Sequence, residues 1–445
     1  MVSNKEMVKF NQVKLNNIFG LFRLMALLSL VLLFSFFNPK MHEEKRRDLE
    51  VKSIVLQWYN LFLVLESKDT TAFPPISAQR LADLGMCGYL SLDYQKTMSF
   101  SQDETLQLLN KVYSDALSRY YNHLDLSSKQ SIEKLENDIA STILISNSSA
   151  DLVSKSSENI KNSLPKFFES RTENFCEVQE SNSNKVTEQS KSKFAFKSEH
   201  AILPDWGKKK TIVVNKNKVT CVKPYANKDS FQKALYAEAL EIYSMSHNLT
   251  KDDVWVAEFW GDDVRGLTFS PPARWISILN QIVQKEEVSA EEMIDLYLRM
   301  GIGLYDAAIV SWKNKYDYNL LRPSDFIQNN IDGNWQPFHA NPNFPAYPSG
   351  HAVFGAVGSR ILEASFGTDY KMTDMSHSHR IEFVGKERSY NSLRDMAHEN
   401  AYSRMLMGVH YKQDCDEGLR LGYEIADIIN STDFKSILVK DNYHL

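Results

Sequence analysis

The sequence predicts an all-α protein with at most a short β-hairpin, and three observations support this prediction. Apolar residues recur at steps of three and four over long stretches, for example over residues 54–63, as on one face of a helix. Residues 250–253 and 289–292 both carry the capping-box pattern that begins a helix. Only one pair of short β-branched runs indicates strands. We therefore expect a core built by packing helices on helices.

The first group of predicted helices lies in the N-terminal half. Helical periodicity extends over residues 49–144, and Pro74-Pro75 predicts a turn within this stretch. Residues 76–94 and 103–123 form the second and third predicted helices, and a fourth begins at Ser128.

Residues 147–198 differ from their surroundings, because they are rich in serine and poor in large apolar side chains. This composition predicts a solvated surface segment that could be partly helical and that is the least ordered part of the mature chain. After it, the β-branched runs at residues 211–214 and 219–222 flank a polar turn. They predict the hairpin.

Three further predicted helices lie in the C-terminal half. The second capping box begins a long helix that carries Lys315 near its end. A helix over residues 352–366 follows a Pro-Ser-Gly-His segment, and another over residues 392–411 carries Arg404 and His410. We expect these helices to bring the polar residues at their ends together.

The N-terminus carries an apolar run typical of a targeting segment. Residues 24–37 are apolar apart from two serines, with basic residues before the run and charged residues after it. Fourteen residues are few for a spanning helix and typical of a signal-peptide core, although extension back to Ile18 gives spanning length. Bulky residues occupy the expected cleavage region. A signal peptide, an uncleaved membrane anchor and an intracellular helix all stay open, and the first two predict an exported protein, periplasmic or secreted.

The composition divides the chain into regions and excludes some functions. Lys and Arg number 51 against 56 Asp and Glu, and this net charge of −5 argues against a general nucleic-acid binder. The four cysteines form no C-x-x-C pair, so no zinc site is predicted, and their pairing stays open.

The predicted regions are a signal peptide or membrane anchor (1–40), an N-terminal helical region (41–146), a polar serine-rich segment (147–198) and a catalytic domain (199–435).

Three short segments of the C-terminal half together supply fixed cations, a helix start and two histidines. They are Lys-x6-Arg-Pro, Pro-Ser-Gly-His, and Ser-Arg-x5-His with an aspartate four residues later. Each segment alone arises by chance, but all three in this order, with every charged position filled, indicate one site for a phosphate-like oxyanion. The residues concerned are Lys315, Arg322, Ser349, Gly350, His351, Arg404, His410 and Asp414.

The residue types suit an oxyanion for separate physical reasons. Free backbone N–H groups at a helix start, the Ser349 hydroxyl and the small Gly350 let an anion approach the backbone. Arginine side chains bind two oxygens each, and lysine adds a point charge. A helix N-terminus disfavours the protonated form of His351, which can therefore exchange a proton. Asp414 could accept a hydrogen bond from one ring nitrogen of His410 and leave the other nitrogen for the anion's central atom.

Through these segments the chain resembles the superfamily that joins vanadium-dependent haloperoxidases with type 2 phosphatidic acid phosphatases. It resembles the haloperoxidase branch more closely. Residues 311–316 are similar to the Ser-Trp-Lys-x-Lys-aromatic stretch of chloroperoxidase-type enzymes, and residues 344–347 to their Phe-Pro-x-Tyr stretch. The resemblance covers residues 50–430, most strongly after residue 300. It implies two four-helix-bundle-like units around one oxyanion site.

The resemblance also implies the parts that individual residues play. Vanadate would bond to His410, and His351 would be the acid–base group when hydrogen peroxide binds. Lys315 would polarise the peroxide, which a halide (iodide, bromide or chloride) attacks to give hypohalous acid. The remaining implied roles are vanadate-oxygen binding by Lys315, Arg322, Ser349, Gly350 and Arg404, a halide pocket at Trp312 and Phe344, and support of His351 by Asp263 or, equally, Asp262.

Two other functions stay open from the sequence. In a phosphatase, His410 would attack phosphorus, His351 would protonate the leaving group and Asp414 would orient the nucleophile. A non-enzymatic phosphate- or vanadate-binding protein would need neither histidine. Phosphate is the expected competitor of vanadate, because both oxyanions suit the same residues.

Overall fold

A computed structural model of the chain describes residues 39–169, 193–226, 230–262, 264, 267–378, 380 and 387–440. The chain divides into two compact units, Met1–Ser53 and Ile54–Leu445, and the second contains every candidate site residue. The apolar run at residues 24–37 and Cys176 lie outside the described residues. Among the helices that are described, none combines the length and the hydrophobicity needed to cross a lipid bilayer.

The described residues form fourteen α-helices and one two-stranded sheet, which confirms the predicted all-α class. Five helices lie before residue 170 and nine lie after residue 230. In chain order they are α1 (Pro39–Lys68), α2 (Pro74–Thr97), α3 (Gln102–Tyr120), α4 (Leu126–Ala140), α5 (Asn147–Glu169), α6 (Phe231–Ser246), α7 (Lys251–Phe259), α8 (Pro271–Lys285), α9 (Ala290–Tyr318), α10 (Pro323–Asn330), α11 (Gly350–Phe366), α12 (Leu393–Leu406), α13 (Lys412–Asn430) and α14 (Phe434–Lys440).

Helix α9 lies at the centre of the second unit and is buried along most of its length. It packs against α2 on one side and against α11 and α13 on another. Gly301 allows the close approach to α2, because a Cβ atom there would lie 2.4 Å from the carbonyl oxygen of Leu81. The predicted capping box begins α9: the Ser289 hydroxyl accepts from the backbone N–H of Glu292, and the Glu292 carboxylate accepts from that of Ser289.

Helix α9 therefore carries Lys315 into the interior near its C-terminal end. Helix α11 begins beside it at the Pro-Ser-Gly-His segment, as predicted, and packs on α12 and α13. The site residues thus come from the ends of several helices that meet in one region.

The predicted hairpin is wrong in position. Residues 211–222 form turns, because the Asp306 carboxylate on α9 accepts from the backbone N–H groups of Ile212, Val213 and Val214 at 2.7–2.9 Å. The antiparallel sheet lies elsewhere and pairs β1 (Met372–Asp374) with β2 (Arg388–Tyr390).

Two other local predictions need correction. Pro74-Pro75 does not form a turn: it occupies the first turn of α2, where proline's missing N–H and fixed φ are tolerated. The helix predicted over residues 392–411 ends at Leu406, so His410 lies between α12 and α13. Gly408 ends that helix with a φ of 75°, a conformation that favours glycine.

The serine-rich segment is helical over Asn147–Glu169, and the rest of it up to residue 192 lies outside the described residues. One face of this helix is apolar, and Val153, Ile160 and Leu164 are buried. The three described cysteines, Cys87, Cys221 and Cys415, are buried and free. The predicted limits of the four regions stay predictions.

Candidate active site

A narrow cavity, here called the central pocket, brings the three sequence segments together inside the second unit. Its wall combines cations, imidazoles, aromatic rings and the start of α11. The lining residues are Pro74, Pro271, Trp312, Arg322, Pro342, Phe344, Gly350, His351, Phe354, Arg404 and His410.

Lys315 is fully buried beside this pocket, in the last turns of α9. Its ammonium donates to the carbonyl oxygens of Pro345 and Ala346 at 3.0 and 3.1 Å, and also to that of Pro348. Three carbonyls of the segment before α11 therefore orient the ammonium. They supply partial charges, whereas a carboxylate would supply a full negative charge.

Arg322 lies at the N-terminus of α10 and is 1% exposed. Its Nε donates to the carbonyl of Phe344 at 3.1 Å. Its Nη1 donates to the carbonyl of Val409 at 2.8 Å and to Nε2 of His410 at 3.0 Å. These contacts hold the guanidinium plane against the segment that carries His410.

Arg404 enters the pocket from α12, and its Nη1 donates to the carbonyl of Trp260 at 3.0 Å. The start of α11 forms the adjacent wall, where Ser349 is the N-cap residue and its hydroxyl accepts from the Ala352 N–H at 3.4 Å. A Cβ atom at Gly350 would meet only Phe354 and Trp312, at 3.8 and 4.0 Å, and both of these side chains line the pocket. A side chain at position 350 would therefore occupy the pocket, as the sequence predicts.

The tautomer of His410 follows from its two neighbours. Nδ1 lies 3.0 Å from Oδ2 of Asp414, which also accepts from the backbone N–H of Tyr411. Arginine can only donate, so Nε2 must accept from Arg322 and carry the lone pair, while Nδ1 carries the proton. The predicted contact with Asp414 is present, although Asp414 belongs to the first turn of α13 and not to the helix of Arg404.

The pocket favours neutral imidazoles. Burial lowers the pKa of His351 well below its usual range, and the charges of Arg404, Lys315 and Arg322 lower it further. Burial and the same three cations lower the pKa of His410. Burial raises the pKa of Asp414 to about 7, although the Tyr411 N–H and nearby cations oppose this shift. Burial and the neighbouring cations therefore both favour the neutral form of the two imidazoles.

The two predicted halide-pocket residues lie side by side. The rings of Trp312 and Phe344 have centroids 5.0 Å apart, and both line the pocket. The ammonium of Lys315 lies 5.0 Å from the centroid of the Phe344 ring, as does the guanidinium carbon of Arg322. An apolar, cation-edged wall of this kind can hold a large polarisable anion without many hydrogen-bond donors.

Asp262 and Asp263 are the two residues predicted to support His351. Asp263 lies outside the described residues. Asp262 is buried, and its Oδ1 lies 3.3 Å from Nη1 of Arg274.

Sequence reasoning missed the pocket residues Pro74, Pro271, Pro342 and Phe354. The first two offered a signal, because each begins a Pro-Pro pair at a helix start. Their shared location could not be inferred, since almost two hundred residues separate them in the sequence.

Comparisons with known proteins show similarity in the fold and in the part of the chain that contains the three site segments. Residues 295–434 match the family model described as the VCPO second helical-bundle domain. The vanadium chloroperoxidase of Curvularia inaequalis is 24% identical over 320 residues, covering 56% of this chain and 50% of that protein. The vanadium-dependent bromoperoxidase of Corallina officinalis is 26% identical over 147 residues, covering 32% of this chain and 23% of that protein.

Two solved structures share the fold. A bacterial vanadium-dependent iodoperoxidase has a TM-score of 0.67 at 17% identity, covering 85% of this chain and 95% of its own. A holo-type bacterial vanadium-dependent chloroperoxidase has a TM-score of 0.59 at 15% identity, covering 85% and 93%. The resemblance to the vanadium haloperoxidases is thus confirmed. The chain spans half the length or less of the curated relatives that it matches.

Proposed function

We propose that the protein is a vanadate-dependent haloperoxidase that oxidises a halide with hydrogen peroxide to hypohalous acid. The observation that carries this proposal is His410, a buried imidazole whose Nε2 lies beside the guanidinium of Arg322 at the wall of the central pocket. A neutral imidazole with a fixed tautomer is what a metal–oxygen centre requires as a ligand. The names of the related chloroperoxidase, bromoperoxidase and iodoperoxidase point to the same chemistry.

The residues present fit vanadate. The space at Gly350, the neighbouring cations and the unprotonated Nε2 of His410, which here accepts a hydrogen bond from Arg322, suit a compact, highly charged oxyanion. His410 would bond to the metal, while Lys315, Arg322, Ser349, Gly350 and Arg404 would hold the oxygens. Bound vanadate supplies Lewis-acid activation of hydrogen peroxide without a change in its own oxidation state.

The chain's own residues would then move protons and position the substrates. His351 is neutral because burial and three cations lower its pKa, so it can accept a proton from incoming hydrogen peroxide. Asn400 donates to the His351 carbonyl at 3.2 Å and fixes the backbone at that position. Lys315 would polarise the bound peroxide, and Trp312 with Phe344 would receive the halide.

A phosphatase on the same residues is the second candidate, and the His410–Asp414 pair favours it. A carboxylate at 3.0 Å from Nδ1 would support His410 as a nucleophile as well as it supports a metal ligand. Vanadate-loaded protein should oxidise iodide or bromide with hydrogen peroxide. Hydrolysis of p-nitrophenyl phosphate by the apo protein, without halide oxidation by the loaded protein, would overturn the first proposal. Binding without either activity would indicate an anion carrier.

We further propose that free phosphate competes with vanadate and that the protein is exported, with residues 1–40 as a signal peptide or membrane anchor. The first proposal rests on the shared shape of the two oxyanions, and the second on the sequence of that segment. Activity that is unchanged in excess phosphate would exclude a shared site. Recovery of the whole protein from the cytoplasm of its source cells would exclude export.

A further inference from the structure

A second cavity, here called the outer cavity, adjoins the central pocket. The two share Pro74, Pro342 and Phe344 in their walls. The outer cavity extends from these residues to the loop between α1 and α2, where Phe73 lines it, and to the residues just before α8. These three residues therefore lie at the boundary between the two cavities.

The loop that carries Phe73 is fixed by its own hydrogen bonds. Asp69 accepts from the backbone N–H of Thr71 at 2.8 Å and from its hydroxyl at 2.6 Å. The other carboxylate oxygen of Asp69 pairs with Arg80 at 2.8 Å. Phe73 then precedes Pro74, whose ring begins α2 and fixes the backbone. These contacts fix the backbone on both sides of Phe73 at this edge of the cavity.

The charges around the outer cavity are largely compensated. Glu66, Asp69 and Asp262 all line it. Asp69 pairs with Arg80, Asp262 lies 3.3 Å from Arg274, and burial raises the pKa of Glu66 and favours its neutral form. The cavity is thus polar but does not present three full negative charges to an incoming anion. Its dimensions, more than its charge, would limit what enters.

We infer that the outer cavity is the route by which the hydroperoxide substrate reaches the central pocket, and that Phe73 sets the size of hydroperoxide accepted. This inference rests on the proposed haloperoxidase function and adds a specificity-determining residue to it. A small peroxide passes Phe73, whereas the organic group of an alkyl hydroperoxide would occupy the space that the ring fills.

The test compares two peroxides in the vanadate-loaded enzyme with iodide as the halide. With tert-butyl hydroperoxide, iodide loses two electrons, the O–O bond breaks, and one proton is consumed as hypoiodous acid and tert-butanol form. We expect Phe73→Ala to raise kcat/KM for tert-butyl hydroperoxide about tenfold or more relative to hydrogen peroxide. Phe338→Ala is the matched control, because Phe338 is 42% exposed and lines neither cavity.

A binding experiment on the apo protein tests the same space without turnover. Phosphate and phenylphosphonate share the oxyanion group, but only the latter carries a ring that must project from the central pocket. Calorimetry measures the dissociation constants of both ligands. Wild-type protein should bind phenylphosphonate about tenfold more weakly than phosphate, and Phe73→Ala should remove most of this difference. Phe338→Ala should leave the difference unchanged.

The outcomes separate the two proposals. If no peroxide is turned over by the loaded wild type, the proposed function fails. A preference for phosphate over phenylphosphonate that still depends on Phe73 would then retain the size limit for oxyanion ligands only. If hydrogen peroxide is turned over but both ratios are the same in Phe73→Ala and the wild type, the function stands and the assignment of Phe73 is wrong. Thermal unfolding of each variant shows whether the fold is retained.

Discussion

Two buried arginine side chains of this protein, Arg274 and Arg322, contact different kinds of group. Arg274 is fully buried between the rings of Phe259 and Trp260, and it pairs with Asp374 at 2.8 Å and Asp262 at 3.3 Å. Arg322, in contrast, donates to two backbone carbonyls and to an imidazole. The Arg274 cluster is a structural ion pair that carries its own anions.

In the central pocket, backbone carbonyls accept from Lys315, Arg322 and Arg404 and orient their cationic groups. Burial is the main cause that lowers the pKa of His351 and of His410, and the charges of Lys315, Arg322 and Arg404 lower both pKa values further. A buried cation normally requires an anion nearby. The fold supplies Asp262 and Asp374 to Arg274, and the proposed oxyanion would add a negative charge beside Lys315, Arg322 and Arg404.

The largest expected effect comes from removing the imidazole that would bond to vanadate. His410→Ala should reduce halide oxidation by about a thousandfold or more and release vanadate on dialysis, since the metal loses its protein ligand. His351→Ala should lose activity but retain more vanadate, because its proposed role is proton transfer. Steady-state kinetics and metal analysis measure the two effects. His398→Ala, an exposed position on α12, is the control, and equal vanadate loss in the two site variants would contradict the division of roles.

The next prediction compares how much Arg274 and Arg322 each contribute to the free energy of unfolding. Arg274→Met should lower the free energy of unfolding by about 3–5 kcal/mol, because it leaves Asp262 and Asp374 buried without their guanidinium. Arg322→Met should cost about 1–3 kcal/mol, because it leaves carbonyls unsatisfied but also relieves repulsion among the pocket cations. Urea denaturation of the apo proteins measures both changes. A larger loss in Arg322→Met than in Arg274→Met would show that the pocket's charges are already balanced in the apo protein.

The sequence predicts the site better than it predicts the backbone that forms it. The spacing of charged and small residues in three segments identifies Lys315, Arg322, Gly350 and Arg404, because an oxyanion demands those residue types together. It does not show that α12 ends before His410, although Gly408 marks the break with its positive φ. Helical propensity alone extends that helix too far.

The misplaced hairpin has a different cause. The β-branched runs at residues 211–222 favour strands locally. In the fold, the backbone N–H groups of residues 212–214 donate to Asp306, more than ninety residues away in the sequence. A side chain from a distant helix thus supplies the acceptors that a partner strand would have supplied. Local pattern cannot reveal such a partner.

A bound oxyanion should raise the free energy of unfolding of the protein, and this gain should depend on the cations of the central pocket. Phosphate at one hundred times its dissociation constant should raise the free energy of unfolding by about 2.7 kcal/mol. The gain should shrink in Arg322→Met, whose pocket has lost a cation, and persist in Arg360→Met, an arginine that pairs with Asp427 near the surface. Denaturation with and without phosphate provides the measurement. A gain of equal size in Arg322→Met would place the bound phosphate outside the central pocket.

The smallest effect is the pH dependence that follows from the burial of His351 and from the cations around it. The folded-state pKa of His351 is lowered, so below about pH 6.5 the unfolded chain binds a proton that the folded chain does not. Stability should therefore fall as the pH falls from about 6.5, by up to about 1.4 kcal/mol per pH unit for this group. Asp414 acts in the opposite direction, because its raised folded-state pKa makes the fold lose stability as the pH rises toward about 7.

A comparison of His351→Gln with the wild type isolates the contribution of the histidine. The variant should lose less stability between pH 7 and pH 5 in urea denaturation without phosphate or vanadate. His398→Gln is the exposed control, and identical slopes in wild type and His351→Gln would mean that folding does not lower the pKa of His351.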